Sequence, residues 1–181
     1  MLSVTGKQLI QPASASTALP AEMREYLNLA DGVDANAFLS SIYLRAASIV
    51  ELHTGVTLLP ATWIVHFDGT GKLLRLPFFP VSSVISQPGS GVQAGSFTLR
   101  RAAGYNFDVE FTDPVTGPAS LQVSAGYSAP EVPPPALSAA VFAIAADLYE
   151  HREAQSEANL TESRTIRRVL DSLTFYHAGG V

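Results

Sequence analysis

Residues 62–79, "TWIVHFDGTGKLLRLPFF", carry β-branched and aromatic side chains on both sides of Gly69 and Gly71. Such side chains are typical of β-strands, and closely spaced glycines favour a turn. The stretch therefore predicts two strands joined by a tight turn. Similar short runs, bounded by glycine, proline or aspartate, follow at 81–86, 96–101, 105–111 and 120–127. Together these runs predict a β-rich insert over residues 56–130.

Helical patterns lie on both sides of this insert. A short first helix begins near Pro20, and a second follows Asp34, a typical N-cap, and ends at Gly55, a typical C-terminal cap. The predicted fold class is α+β, in one domain over residues 1–181. It is a small helical bundle of three main helices plus a C-terminal helix, with the β-rich insert between the second and third helices. In this prediction residues 1–19 form a flexible arm, 20–55 and 134–153 form the helical core, and 161–181 form a docking helix and tail.

The third helix is apolar around most of its circumference. It follows three prolines in "PPPALSAAVFAIAADLYEHRE", residues 133–153, where Leu137, Val141, Ile144 and Leu148 form one stripe and alanines and Phe142 fill much of the rest. A helix with almost no polar face is normally buried. We expect the second helix to cover one side, and the β insert or a neighbouring subunit to cover the others.

Composition excludes several classes of function. The 181-residue chain is 47% hydrophobic and 15% charged, with a formal net charge of −5 and scattered basic residues, which disfavours sequence-specific nucleic-acid binding. The absence of cysteine excludes disulfides and thiolate metal sites. We expect no secretion signal at the start, and the third helix has a shorter apolar part than the roughly 20 residues of a membrane span. A protein made in the cytoplasm, with no membrane partner, is expected.

Motifs for catalysis are incomplete. "DGTGKLL", residues 68–74, contains the Gly-Lys pair of a phosphate-binding loop, but His66 stands where that motif needs glycine and Leu73 where it needs serine or threonine. The four histidines form no helical zinc-binding pair, and no serine lies in a G-x-S-x-G motif. We therefore expect no enzyme activity, no catalytic residue, no cofactor and no metal.

Two polar clusters are candidates for a protein interface. The first ends the third helix, where a solvated helix end and a contact with a neighbouring element are both open interpretations. The second is the last amphipathic helix with its aromatic tail, since arginine and aromatic residues are enriched at interfaces. The candidate interface residues are Tyr149, Glu150, Arg152, Glu153, Arg164, Arg167, Arg168, Leu170, Leu173, Phe175 and Tyr176.

The order of segments resembles a known family. The segments are "DANAFLSSIYLRAASIVELHTG" (34–55), "TWIVHFDG" (62–69), "LRLPFFPVSSVIS" (74–86), "LQVSAGY" (121–127) and "VPPPALSAAVFAIAADLYEHRE" (132–153). Together they resemble the head-tail connector proteins, also called adaptor or head-completion proteins, of tailed phages and gene transfer agents. The most specific parts are Thr54-Gly55, L-P-x-x-P-V-x-S-V (76–84), A-G-Y (125–127) and Y-E-x-R-E (149–153). Val56, where the family often has a basic residue, departs from the pattern.

The resemblance implies a structural protein of the virion neck, between capsid and tail. Such a protein forms a ring, commonly of twelve subunits, that docks on the portal protein and extends the DNA channel. Its partners would be other copies of itself, the portal, a downstream tail or stopper protein, and double-stranded DNA that passes without sequence-specific contact. The resemblance also implies that Tyr149, Glu150, Arg152 and Glu153 form a shared helix-end motif.

A second hypothesis of a different class comes from the residues alone. The β-rich insert could serve a small ligand-binding module or an enzyme subunit, with polar groups converging near His66, Asp68 and Tyr105. A pocket at these residues would distinguish this hypothesis from the connector.

Overall fold

The computed structural model describes residues 1–12, 21–27, 36–87, 89–93, 95–101, 106–127, 132–150 and 170–171. They belong to two compact units. The β unit contains the described residues of 1–13 and 56–131, and the helical unit contains those of 14–55 and 132–174. No helix in these described ranges has the length and hydropathy needed to cross a membrane.

Six antiparallel strands form the β unit. They are β1 (Leu2–Gln11), β2 (Ala61–Leu76), β3 (Val81–Ser86), β4 (Phe97–Arg101), β5 (Phe107–Thr116) and β6 (Ala119–Ala125). The order across the sheet is β3-β6-β2-β5-β4, and β1 pairs with β2. The long strand β2 therefore has three partners and lies at the centre of the unit.

β2, β5 and β6 form one long ribbon. The first half of β2 pairs with β6 from Ala61 opposite Ala125 to Phe67 opposite Ala119, and the second half pairs with β5. Since β5 runs almost directly into β6, the two together follow β2 along most of its length. Near the break between them, the Gly117 N–H donates to the carbonyl oxygen of Gly69 at 3.1 Å.

This ribbon folds back on itself. Leu76 lies opposite Phe107 at one end of the ribbon, whereas Val81 lies opposite Ala125 at the other end. Residues 77–80 alone join Leu76 to Val81, and so short a link spans at most roughly 18 Å. A straight strand as long as β2 would span roughly 50 Å. The two ends of the ribbon must therefore approach each other, which encloses the space between the two halves of the sheet.

Inward-facing apolar side chains fill this space. Phe67 and Phe111, on opposite halves of the ribbon, place their ring centroids 5.9 Å apart. Each fully buried aliphatic or aromatic side chain contributes about 1.5–3 kcal/mol to stability. The buried core comprises Leu2, Val65, Phe67, Leu74, Leu76, Phe78, Val81, Val92, Val109, Phe111, Ala119, Leu121, Val123 and Ala125.

The helical unit contains three helices among the described residues: α1 (Ala21–Tyr26), α2 (Asn36–Thr54) and α3 (Pro135–Glu150). α3 packs against both α1 and α2. On α2, Leu39, Ala46 and Val50 are fully buried at helical spacing. On α3 the buried residues are Leu137, Ala140, Val141, Ile144, Ala145 and Leu148.

The predicted fold class, a helical bundle with a β-rich insert, is wrong. The six strands contain more of the described residues than the three helices do. The physical reason is that the β segments do not attach singly to a bundle. They pair with one another and with β1 into a nearly closed sheet that has its own core. Residues 2–11, which the sequence assigned to a flexible arm, supply β1.

The tight turn predicted at Gly69 and Gly71 is also absent, because β2 continues through both glycines. Gly69 has φ +106°, and a Cβ atom there would lie 2.5 Å from the carbonyl oxygen of Met1. A Cβ atom at Gly71 would lie 3.4 Å from the backbone nitrogen of Leu2. The glycines therefore let the start of β1 approach β2 closely, a second common role of glycine within a strand.

Candidate assembly interface

Two of the four family patterns, L-P-x-x-P-V-x-S-V and A-G-Y, meet at one corner of the β unit, which we call the closure junction (Leu58–Pro60, Phe79–Val81 and Gly126–Tyr127). The Gly126 N–H donates to the Pro80 carbonyl oxygen at 3.0 Å, and the Tyr127 N–H donates to that of Leu58 at 3.2 Å. The Phe79 ring lies 6.4 Å from the ring of Tyr127, edge on. The junction thus ties the end of β6 to the segments that precede β2 and β3.

Phe79 also connects the two ends of the ribbon. Its ring centroid lies 6.0 Å from that of Phe107 at the start of β5, and its carbonyl oxygen accepts a hydrogen bond from the Thr57 N–H at 2.7 Å. The peptide bond between Phe79 and Pro80 is cis. The L-P-x-x-P-V and A-G-Y patterns therefore have a structural explanation, which is closure of the sheet.

The Thr54-Gly55 pair has a similar role in the helical unit. The Thr54 hydroxyl donates to the Val50 carbonyl oxygen at 2.7 Å, and the Gly55 N–H donates to that of Glu51 at 2.9 Å. Gly55 has φ +73°, the left-handed conformation that commonly ends a helix. This pair therefore ends α2.

Three of the predicted interface residues lie within the described ranges, all in the helical unit. Tyr149 is half-buried, with its ring 6.4 Å from that of Phe38 on α2. Glu150 is exposed, whereas Leu170 is only 2% exposed. Next to Leu170, Asp171 lies 2.9 Å from the imidazole of His53 at the end of α2.

The other predicted interface residues lie outside the described residues. They are Arg152, Glu153, Arg164, Arg167, Arg168, Leu173, Phe175 and Tyr176. The role of the two polar clusters therefore stays a prediction.

The described part of the helical unit is acidic. Its carboxylates are Glu22, Glu25, Glu51, Asp147, Glu150 and Asp171, against the guanidinium groups of Arg24 and Arg45. One effect is visible at Tyr43, where burial raises the pKa of the hydroxyl, and the nearby carboxylates of Glu22 and Glu51 raise it further. The unit carries excess negative charge, which repels a passing polyanion rather than holding it.

The outer face of the half-sheet β2-β5-β4 carries paired charges. Asp108, only 6% exposed, lies between Arg75 and Arg100 in the cross-strand register. The Arg75 Nε atom lies 3.3 Å from Asp108 Oδ1, and the Arg100 Nε atom lies 2.8 Å from Glu110 Oε2. Within the described part of this face, Arg75 and Arg100 therefore already have carboxylate partners, which disfavours the binding of DNA phosphates there.

Two of the three residues proposed for a ligand pocket lie on the exposed surface of β2. His66 and Asp68 are both exposed on β2, and Tyr105 lies outside the described residues. Asp68 Oδ1 accepts a hydrogen bond from the Gly69 N–H at 2.6 Å. Within the described ranges, no three histidine, aspartate or glutamate side chains cluster closely enough to hold a metal ion.

Exposed aliphatic side chains mark surfaces that the sequence did not single out. On the β unit, Leu9 and Ile10 of β1, Leu73 of β2 and Ile85 of β3 are each 43–51% exposed. On α2, Leu52 is 89% exposed. In the sequence, Leu2 and Val4 alternate with polar residues, a pattern typical of a strand. This pattern could have predicted β1, the strand that carries the exposed Leu9 and Ile10.

Solved structures of gene transfer agent (GTA) particles contain chains with this fold. A chain in the "Neck of empty GTA particle computed with C6 symmetry" is 22% identical, with a TM-score of 0.72, over 97% of this chain and 99% of that one. A chain in the "Neck of native GTA particle computed with C12 symmetry" is 21% identical, with a TM-score of 0.71 and the same coverage.

A third match comes from the "Virion of native gene transfer agent (GTA) particle", at 24% identity and a TM-score of 0.70 over 96% of this chain and 98% of that one. No family model and no curated protein matches the chain. The chain thus shares the complete fold of chains found in gene transfer agent necks and virions, which agrees with the resemblance at the level of fold.

Proposed function

We propose that this chain is a structural protein of the neck of a phage or gene transfer agent particle, where it forms the adaptor ring between portal and tail. The correspondence of fold over nearly the whole of both chains carries the proposal. The matched necks were computed with C6 and C12 symmetry, which favours a ring of twelve copies.

The charge of the helical unit supports a path for DNA. Excess carboxylates among its described residues repel the phosphate backbone, so DNA passes such a wall without binding to it. In the proposed ring, part of the helical unit faces the channel. The C-terminal segment with Arg164, Arg167 and Arg168, followed by Phe175 and Tyr176, docks on the portal or on the tail-side protein.

Electron microscopy of particles from the producing cell tests the proposal. Deletion of this chain should leave DNA-filled heads that carry no tail, because the portal would lack its adaptor. A tag on the chain should then lie in the neck as a ring of density below the portal. Normal tailed particles without the chain, or the tag elsewhere in the particle, would contradict the function.

A truncation separates docking from folding. Removal of residues 172–181 keeps Leu170, which is buried in the helical unit, but deletes the aromatic tail. We expect the truncated chain to remain folded by circular dichroism and to be lost from purified heads. Retention on the heads at the wild-type level would show that the tail is not the docking segment.

A further inference from the structure

Three strands of the β unit lie at sheet edges. Among the described residues, β1 pairs only with β2, β3 only with β6, and β4 only with β5. An edge strand presents unpaired backbone N–H and C=O groups, and charged side chains usually protect it from pairing with other chains. β4 has such protection in Arg100 and Arg101, whereas β1 and β3 together contain one charged side chain, Lys7.

The weakly protected edges also carry exposed aliphatic side chains. On β1, Leu9 is 43% exposed and Ile10 is 46% exposed, and on β3, Ile85 is 50% exposed. Every residue from Lys7 to Gln11 is exposed, although this half of β1 is paired with β2. Apolar side chains beside free backbone groups favour the addition of another strand.

The directions of these strands suit a head-to-tail contact. β1, β2, β6 and β3 form a four-stranded half-sheet in which each neighbour is antiparallel to the next. β1 and β3 therefore run in opposite directions at its two edges. When two copies lie side by side in the same orientation, β3 of one meets β1 of the next as an antiparallel pair.

A closed ring needs a contact of this type. In a rotationally symmetric ring, each subunit presents two different surfaces, one to the subunit before it and one to the subunit after it. Two distinct edges of one half-sheet meet that requirement, whereas a single apolar patch that pairs with itself produces a twofold dimer.

We propose that β3 of one copy pairs with β1 of the next copy, so that the half-sheets continue from subunit to subunit around the ring. This inference rests on the proposed function, because it needs a ring of this chain. Ile85 lies on the outer face of the half-sheet, in register with Gln122. Leu9 lies on the inner face, opposite Trp63, so the pairing removes an exposed aliphatic side chain from solvent on each face.

Disulfide cross-linking tests the contact, because the natural chain has no cysteine. Opposing residues in antiparallel strands have Cα atoms about 4.5–5.5 Å apart, within the range that a disulfide bridges. We would combine Ile85→Cys with Gln8→Cys, Ile10→Cys or Gln11→Cys in three double variants. Gln8 and Gln11 share the outer face of the half-sheet with Ile85, and Ile10 lies in the bulge before Gln11. Particles assembled with each variant would be oxidised and run on a denaturing, non-reducing gel.

One of the three double variants should give a ladder of covalent multimers up to the full ring. Ile85→Cys alone is the first control, because one thiol per chain cannot link more than two chains. Leu73→Cys with Ile10→Cys is the matched control, since Leu73 is 51% exposed on the same unit but does not lie on β1 or β3. Neither control should give a ladder.

The outcomes separate this inference from the proposed function. Necks that contain the chain but give no ladder with any of the three pairs overturn the strand pairing and leave the neck assignment standing. A chain that is absent from the neck of wild-type particles overturns both. Ile85→Lys should also reduce incorporation into necks at least tenfold relative to Leu73→Lys, and equal incorporation of the two variants would count against the pairing.

Discussion

Replacement of Gly126 by alanine should disrupt closure of the sheet. Gly126 has φ +106°, a conformation that L-residues rarely adopt. A Cβ atom there would overlap the carbonyl group of Leu59 and would lie 2.8 Å from the backbone nitrogen of Pro60. Because these neighbours are backbone atoms, no side-chain rotation relieves the overlap. The closure junction must open, or β6 must shift away from it.

The expected loss of stability follows from three contributions. The left-handed conformation of a non-glycine residue costs about 1–2 kcal/mol. Displacement of the chain weakens the hydrogen bonds that Gly126 donates to Pro80 and Tyr127 donates to Leu58, each of which contributes about 0.5–1.5 kcal/mol. Loss of the Phe79 contact with Tyr127 adds about 0.5–1.5 kcal/mol. We expect Gly126→Ala to lower the free energy of unfolding by roughly 2.5–6.5 kcal/mol.

Gly117→Ala is the matched control. Gly117 also has a positive φ, +89°, but nothing lies within 4 Å of a Cβ atom added there. It should therefore show only the conformational cost of about 1–2 kcal/mol. Urea unfolding followed by circular dichroism measures both variants, with unchanged m-values as the sign of a two-state comparison. The scatter of such measurements is roughly 1 kcal/mol. If the free energies of unfolding of Gly126→Ala and Gly117→Ala differ by less than this, the backbone overlap at Gly126 does not limit stability.

Other substitutions test the core of the helical unit, the charged face of the β unit and Tyr43. Leu137→Ala, at a fully buried position, should cost about 2–5 kcal/mol in urea unfolding, and Leu52→Ala, at an 89% exposed position, less than about 0.5. Asp108→Ala should cost about 1–3 kcal/mol, since it removes the buried partner of Arg75, whereas Glu110→Ala should cost less than about 1. Equal losses within either pair would contradict the burial argument. The raised pKa of Tyr43 predicts stability that is complete below the ordinary value of 10.0 and is lost as pH rises through the higher folded pKa. Tyr43→Phe should flatten this alkaline loss, and an unchanged pH profile would exclude Tyr43 as its source.

The sequence predicted the helices better than their place in the fold. Helical periodicity and the Thr54-Gly55 end are local properties, so α2 and α3 were recognised. Pairing between distant strands leaves no local pattern, and β1 pairs with β2 across about sixty residues of sequence. Glycines add a further ambiguity, because Gly69 favours a turn when its neighbours are unknown. The position of Met1 in the folded chain shows instead that Gly69 permits the close approach of β1 to β2.

The candidate interface was predictable only in part. The apolar circumference of α3 suggested that a neighbour covers it, yet six of its residues are buried in this chain, and Phe142 packs against Tyr26 with 5.9 Å between ring centroids. The helix is therefore largely covered within the helical unit. Surfaces free for assembly depend on which strands lie at edges, and that property belongs to the whole sheet.

The family patterns L-P-x-x-P-V, A-G-Y and Thr54-Gly55 stabilise the fold. L-P-x-x-P-V and A-G-Y meet in the closure junction, and Thr54-Gly55 ends α2. Substitutions in the junction should therefore reduce the amount of folded protein. Substitutions on β1 and β3 should leave the chain folded and change only its assembly, so the two classes of variant separate folding from function.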